Sequence, residues 1–323
     1  MKLLKSEANR ERSFGSRLGF LIGAGALMIV SVCETSFAAA VQQKTFSSAA
    51  DAVKAAVAAA KSNDDKELLA IFGAQAKDLM SSGDPVADKQ RRAGFLKAYE
   101  EKNRLVTDKE KTILVLGKND WPFPIPVVKR GENWVFDTNA GREEILNRRI
   151  GENELNVIQV CLAIVDSQRE YAMKDRDGSG VLHYAQKFLS DPGKKNGLYW
   201  EANAGEEQSP LGPFAVQARS EGYKPGQGSS GKPVPYHGYY YRILRAQGKD
   251  APGGARSYLA KGKMIGGFGV VASPAQYENS GVMTFIVNYQ GKVFQKNLGK
   301  DTASIANAMT AYNPDSTWTQ VKQ

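Results

Sequence analysis

Cysteine is nearly absent from this sequence, whose 323 residues include only Cys33 and Cys161. Cys33 lies in an N-terminal segment that we expect to be removed, which would leave one cysteine and no intramolecular disulfide. Around Cys161, apolar residues recur at the spacing of a helix, and free cysteine is among the most frequently buried residue types. The sequence therefore predicts a buried structural thiol at Cys161.

Signatures of catalysis and of nucleic-acid binding are also scarce. The chain has two histidines, His183 and His237, and it contains neither a G-x-S-x-G motif nor an H-E-x-x-H motif. Lysine and arginine outnumber aspartate and glutamate by 43 to 34, but they are spread along the chain and form no basic block. This distribution favours a general attraction to acidic surfaces, and we predict no nucleic-acid binding.

Long hydrophobic runs are limited to one, LGFLIGAGALMIVSVC, at residues 18–33. A segment with five positive charges precedes the run, and small residues in an A-x-A arrangement follow it, which is the pattern of a signal peptide. We predict that residues 1–40 are removed after Ala38 or Ala40, and that the mature protein is periplasmic or secreted with no stable membrane span. The alternative is an uncleaved anchor helix, although the run is shorter than the roughly 20 residues that a span needs.

The remaining pattern predicts an α+β fold with two modules. Residues 41–140 show helical periodicity from Phe46 to about Leu105, and then two strands, KTILVLG and VVKRGENWVFDT, on either side of DWPFPIP. Residues 141–323 predict one long helix that Gly151 could interrupt, a short helix at YAQKFLS, and a Gly- and Pro-rich loop at 201–235. Antiparallel strands follow, and the last two form a hairpin with Gly291 at its turn.

These arrangements resemble known folds. Helices on a small antiparallel sheet are similar to nuclear-transport-factor-like or cystatin-like modules, and a long helix over an antiparallel sheet is loosely similar to pilin-like soluble domains. Both resemblances concern the fold alone.

Three long segments are more specific: DWPFPIPVVKRGENWVFDTNAGREEILNRRIGENEL, GVLHYAQKFLSDPGKKNGLYW and GVVASPAQYENSGVMTFIVN. Together they resemble a bacterial exported family known as domain of unknown function 2950. This resemblance extends over nearly all of the mature chain and implies no particular activity.

The segment KDRDGSGVLHYAQKF, residues 174–188, has the spacing of a calcium loop. Asp175, Asp177 and Ser179 occupy loop positions one, three and five, and Val181 offers its carbonyl at position seven. Gln186 stands at position twelve, where a bidentate Glu is usual, so the predicted calcium binding is weak. The alternative is a tight turn that needs the same acidic and small residues to satisfy its backbone.

Tyr236, Tyr239 and Tyr241 form an aromatic group beside His237 and are candidates for contact with a sugar ring or a peptide. Strand alternation explains the same tyrosines without a ligand, because aromatic residues favour half-buried sheet faces.

Two functions remain open at this stage. The first is a non-catalytic envelope protein that binds or assembles with an unknown envelope partner or a cell-surface polymer. The second is an envelope hydrolase that acts on peptidoglycan or another cell-surface polymer through carboxylates such as Glu206 and Glu207. A raised proton affinity of such a pair would favour the enzyme.

Overall fold

Two antiparallel five-stranded sheets and seven helices dominate the part of the chain that the computed structural model describes, residues 42–224 and 233–322. The predicted signal peptide lies outside these residues. Within them, no helix combines the length and the apolar character that crossing a membrane requires.

The helices, in chain order, are α1 (Ala49–Ser62), α2 (Asp65–Phe72), α3 (Lys77–Met80), α4 (Pro85–Glu101), α5 (Thr138–Tyr171), α6 (Gly212–Ser220) and α7 (Thr302–Ala308). The strands are β1 (Asn103–Asp108), β2 (Lys111–Leu116), β3 (Trp121–Pro122), β4 (Val127–Arg130), β5 (Asn133–Phe136), β6 (Tyr239–Leu244), β7 (Ala246–Gln247), β8 (Arg256–Ser257), β9 (Leu259–Ala260), β10 (Lys263–Met264), β11 (Gly269–Pro274), β12 (Met283–Asn288), β13 (Phe294–Asn297) and β14 (Thr319–Gln320).

The N-terminal sheet has the order β1-β2-β4-β5, and β3 pairs with β2. Side chains of Ser48, Asp64 and Asp84 accept hydrogen bonds from the first turns of α1, α2 and α4, which is how these polar residues start helices. The alanine-rich face of α1 packs with α2 against the sheet to form one core. This arrangement confirms the predicted helices on a small antiparallel sheet.

The helical region was predicted to extend from Phe46 to about Leu105, and this prediction was wrong at the C-terminal end of the region. Helix α4 stops at Glu101, and β1 pairs with β2 from Asn103 onwards. Every residue of β1 is exposed, so the strand lacks the apolar alternation that identifies a half-buried strand in a sequence.

The C-terminal sheet has the order β14-β13-β12-β11-β6, and α5 packs across it, as the sequence predicted. Val157, Cys161 and Ile164 on α5 meet Phe285 and Val287 of β12 in the largest core. Cys161 is fully buried, which confirms its predicted position, and burial raises the pKa of its thiol to about 12. The hairpin of β12 and β13 has Gly291 in its turn with φ +82°, again as predicted.

Helix α5 runs through Gly151 without a break, which confirms the predicted single long helix. Two other details of the C-terminal half differ from the predictions. The segment YAQKFLS is not helical, because Tyr184 pairs with Met264 and Leu189 pairs with Tyr199 in isolated bridges. A seven-residue helix has little stability of its own, so these backbone partners prevail. The stretch 201–235 is not all loop, since it contains α6, whose proline lies in the first turn where a helix tolerates it. Its residues 225–232 lie outside the described part.

Helix α5 begins at Thr138, three residues before the predicted start of the second module, and so runs through that boundary. Buried hydrogen bonds also link the two predicted modules. Asp84 accepts from the hydroxyl of Tyr223 and from the backbone N–H of Gly238, both at 2.9 Å. The division at residue 140 stays a prediction.

Candidate functional site: a cationic cleft

Two adjoining cavities, of about 780 and 490 Å³, form a continuous cleft on the C-terminal half, because Gln186, Lys187 and Arg245 line both. The loop after α5, the turn at residues 193–196 and the hairpin of β9 and β10 enclose the larger cavity. The outer part of β6, with Tyr241 and Arg242, lines the smaller one.

The lining of this cleft is strongly cationic. It contains seven positively charged side chains, and the cleft is therefore called the cationic cleft below. These side chains are Arg176, Lys187, Lys194, Lys195, Arg242, Arg245 and Lys263. The carboxylate of Asp177 is the one acidic group among the described lining residues.

Two carboxylates just outside the lining partly neutralise these cations. Asp191 lies 2.5 Å from Lys187, and Glu207 lies 2.9 Å from Lys195 and 3.5 Å from Arg176. Seven cations against Asp177, Asp191 and Glu207 leave an excess of four positive charges.

Lys194 and Arg245 are the most available of these cations. Both side chains are exposed, and neither forms an ion pair with any acidic residue in the described part of the chain. A cleft with one sign of charge between low-dielectric walls concentrates the opposite charge. The site is therefore suited to an anionic ligand with several charges.

Arg176 holds one wall of the cleft in place. Its side chain is only 4% exposed, lies over the rings of Tyr171 and Trp200, and donates to the backbone oxygen of Tyr171. The guanidinium planes and aromatic faces attract each other, which fixes the position of this charge. Arg176 thus orders the loop that follows α5.

The proposed calcium loop forms part of the rim, and its oxygens already have partners. Asp175 accepts from the backbone N–H groups of Asp177, Ser179 and Gly180. Asp177 contacts Lys263 and lies 3.2 Å from the Nε2 of His183. The hydrogen bond from Lys263, followed by that from Ser179, lowers the pKa of Asp177.

These contacts are those of the tight turn that the sequence left open as an alternative. The helix expected after the loop, at Tyr184 to Leu189, is not formed, so the frame of two flanking helices is incomplete. Val181 is exposed, and Ser179 accepts from its backbone N–H. Across residues 42–224 and 233–322, no cluster of three or more His, Cys, Asp or Glu side chains is arranged to hold a metal ion. Calcium binding stays a prediction of the sequence.

The three candidate tyrosines lie at different depths. Tyr239 is fully buried and donates from its hydroxyl to the backbone oxygen of Met283. Tyr236 is half-buried and contacts the rings of Tyr223 and His237. Tyr241 is half-buried and lines the cationic cleft. Of the three, Tyr241 is the one that the fold brings to this site.

Glu206 and Glu207 are held in their ionised form. Hydrogen bonds from Lys195 and Lys174 lower the pKa of Glu207 to about 2, and the backbone N–H of Asn203 lowers that of Glu206. A general acid at neutral pH needs the opposite shift. The environment of this pair does not favour the hydrolase that the sequence left open.

Residues 43–321 match the family described as protein of unknown function (DUF2950). The chain belongs to this family. The match spans both sheets and α5, so the whole of the described fold is the family's domain, and it confirms the resemblance found in the sequence. No curated protein and no solved structure gives a match.

Sequence reasoning did not find the cationic cleft, because its residues are distant along the chain. Arg176 and Lys263 are 87 positions apart in the sequence, and only Lys194 and Lys195 are adjacent. The sequence does show an overall excess of positive charge. This excess predicts a negatively charged ligand but does not locate the binding site.

Proposed function

We propose that this protein is exported through the signal peptide at residues 1–40 and acts as a non-catalytic binding protein for an anionic cell-surface polymer. The cationic cleft would hold the polymer's negative groups, and Tyr241 would contact a neutral part of it. The observation that supports this proposal most strongly is the excess of four positive charges in the cleft.

Charge density supports a polymer as the ligand. The lining cations extend over two adjoining cavities, so that one small anion would meet only some of them. A chain with repeated carboxylates or phosphates would meet them in succession and would release counterions as it binds. The state of Glu206 and Glu207 supports binding over hydrolysis, because neither is poised to donate a proton.

Binding of defined polymers to the purified mature protein tests this proposal. The probes are polygalacturonate for carboxylates, inorganic polyphosphate for phosphates, uncharged dextran, and an oligothymidylate. We expect binding to at least one of the first two and none to dextran. Tighter binding to the oligothymidylate than to either polymer would indicate a nucleic-acid partner and would overturn the proposal.

A pair of charge reversals locates the binding. Lys194→Glu with Arg245→Glu is expected to weaken binding roughly tenfold, equivalent to about 1.4 kcal/mol. The control is Lys54→Glu with Lys89→Glu, which reverses two exposed lysines on α1 and α4, away from the cleft. Equal affinity in the two double variants would show that the cleft is not the site.

A further inference from the structure

A cavity of about 450 Å³, separate from the cationic cleft, lies in the N-terminal half between α4, α5 and β3. Most of its lining is apolar, and four aromatic residues, Phe72, Phe95, Trp121 and Phe123, contribute to it. Their rings are in contact, with centroids 5.4 Å apart for Phe95 and Phe123 and 6.2 Å apart for Trp121 and Phe123. This cavity is called the aromatic pocket below. Its volume is within the range of small-molecule sites.

Three arginines also lie at this pocket. Arg91, Arg148 and Arg149 line it, and Glu152 is the single carboxylate among the described lining residues. Arg148 is paired with Glu144 at 2.5 Å. Among the described residues, the carboxylates nearest to Arg91 are more distant, Asp88 at 3.6 Å and Glu152 at 4.0 Å. Arg91 also donates from its Nη2 to the side-chain oxygen of Asn153 at 2.9 Å.

Arg149 is the most unusual of these groups. It is 96% buried, and its hydrogen bonds go to the backbone oxygens of Asp78 and Leu79 and to the side-chain oxygen of Asn279. No carboxylate in the described residues forms an ion pair with it, and its Nε has no hydrogen-bond partner. The buried Nη1 of Arg91 likewise has no hydrogen-bond partner within residues 42–224 and 233–322.

A buried charge is costly when no opposite charge accompanies it. Burial, followed by the nearby charge of Arg91, lowers the pKa of Arg149 to about 10. The nearby carboxylates of Asp88 and Asp78 raise this pKa but do not offset the effect of burial. An anion between Arg91 and Arg149 would place an opposite charge beside the buried guanidinium of Arg149 and would accept hydrogen bonds from the two nitrogens that lack them.

We propose that the aromatic pocket binds an amphiphile with a single carboxylate head and an apolar tail. The tail lies among the aromatic rings, and the head group pairs with Arg91 and Arg149. This site is separate from the cationic cleft and does not depend on the function proposed for it.

Gly94 offers a way to close the pocket without disturbing the fold. It lies within α4 and lines the pocket, and a Cβ atom added there would have no other atom within 4 Å. Gly94→Leu should therefore fill the pocket while it improves the helix propensity of α4. Gly151→Leu is the matched control, because Gly151 lies in α5, is equally open, and is not part of the lining.

The test measures binding of decanoate and of the uncharged 1-decanol to the purified protein, by calorimetry and by the fluorescence of Trp121, which lines the pocket. We expect decanoate to bind at least tenfold more tightly than decanol. Gly94→Leu should abolish this binding, and Gly151→Leu should leave it unchanged. Arg91→Gln should remove the preference for decanoate while decanol still binds.

Three results would overturn the proposal. They are no binding of decanoate by the wild-type protein, equal affinity for decanoate and decanol, and unchanged affinity in Gly94→Leu. None of these measurements requires a substitution of Arg149, because loss of a buried arginine can unfold the protein.

Discussion

Asp84 is expected to be among the most sensitive positions in the protein. It is fully buried at the start of α4, and its carboxylate accepts four hydrogen bonds. Two come from the backbone of Val86 and Ala87 in the first turn of α4, both at 3.1 Å. The other two come from Tyr223 and Gly238, in the C-terminal half.

The magnitude for Asp84→Ala follows from these contacts. Loss of a helix cap costs about 0.5–2 kcal/mol. The hydroxyl of Tyr223 and the N–H of Gly238 would be left buried without an acceptor, at about 1–3 kcal/mol each. We expect a loss of roughly 2.5–8 kcal/mol in the free energy of unfolding, which lowers the melting temperature by on the order of 10 °C.

Asp64→Ala is the matched control, since Asp64 caps α2 in the same way but is exposed. In the described part of the chain its side chain accepts from the backbone of Glu67 alone. Its expected cost is the cap alone, about 0.5–2 kcal/mol. Thermal and urea unfolding of both variants would measure the difference. Equal destabilisation would refute the view that the buried Asp84 contacts join the two halves. Tyr223→Phe, which removes one of these hydrogen bonds, provides a milder variant if Asp84→Ala does not fold.

Three further predictions concern single residues. Gly141→Ala should destabilise the protein by about 1–3 kcal/mol, because the added carbon would lie 2.5 Å from the backbone oxygen of Pro124. Gly151→Ala, in the same helix but with free space around the added carbon, should be neutral or stabilising. Similar unfolding curves for the two variants would contradict this prediction. Cys161 should resist thiol reagents in the folded protein at pH 8, since its pKa of about 12 leaves almost no thiolate; rapid labelling without denaturant would show that the residue is accessible. Asp175→Ala should lower the melting temperature with or without calcium, because three backbone N–H groups lose their acceptor; a rise with millimolar calcium that occurs in the wild type alone would instead support the metal site.

The sequence was sufficient for the main elements of the fold because their signals are local. The helical periodicity of the segment that forms α1 to α4, the apolar periodicity of α5 and the turn at Gly291 each act within a few positions. The errors occurred where distant contacts decide the structure. YAQKFLS has an apolar spacing that suits a helix, yet the backbone of Met264, about 80 residues further on, pairs with Tyr184.

The candidate sites were harder to predict for the same reason. The loop at 175–181 could be recognised in the sequence because its residues are consecutive. Its carboxylate at Asp175 accepts hydrogen bonds from the backbone of the tight turn that was the alternative prediction. The cationic cleft collects charges from four separate segments, and no local pattern marks them. Arg149 is unpaired because the fold brings no carboxylate of the described residues into an ion pair with it. The spacing of residues in the sequence does not reveal this.

The salt dependence of polyanion binding tests the central claim, that the cationic cleft is a polyanion site, most directly. The logarithm of the association constant for polygalacturonate or polyphosphate should fall linearly with the logarithm of the salt concentration, because each neutralised charge releases counterions. Reversal of Lys194 and Arg245 should reduce this slope by roughly one to two, at about 0.7–0.9 per contact for comparable polyanions. The reversal of Lys54 and Lys89 should leave the slope unchanged. A slope that is the same in the wild type and in both double variants would contradict the account.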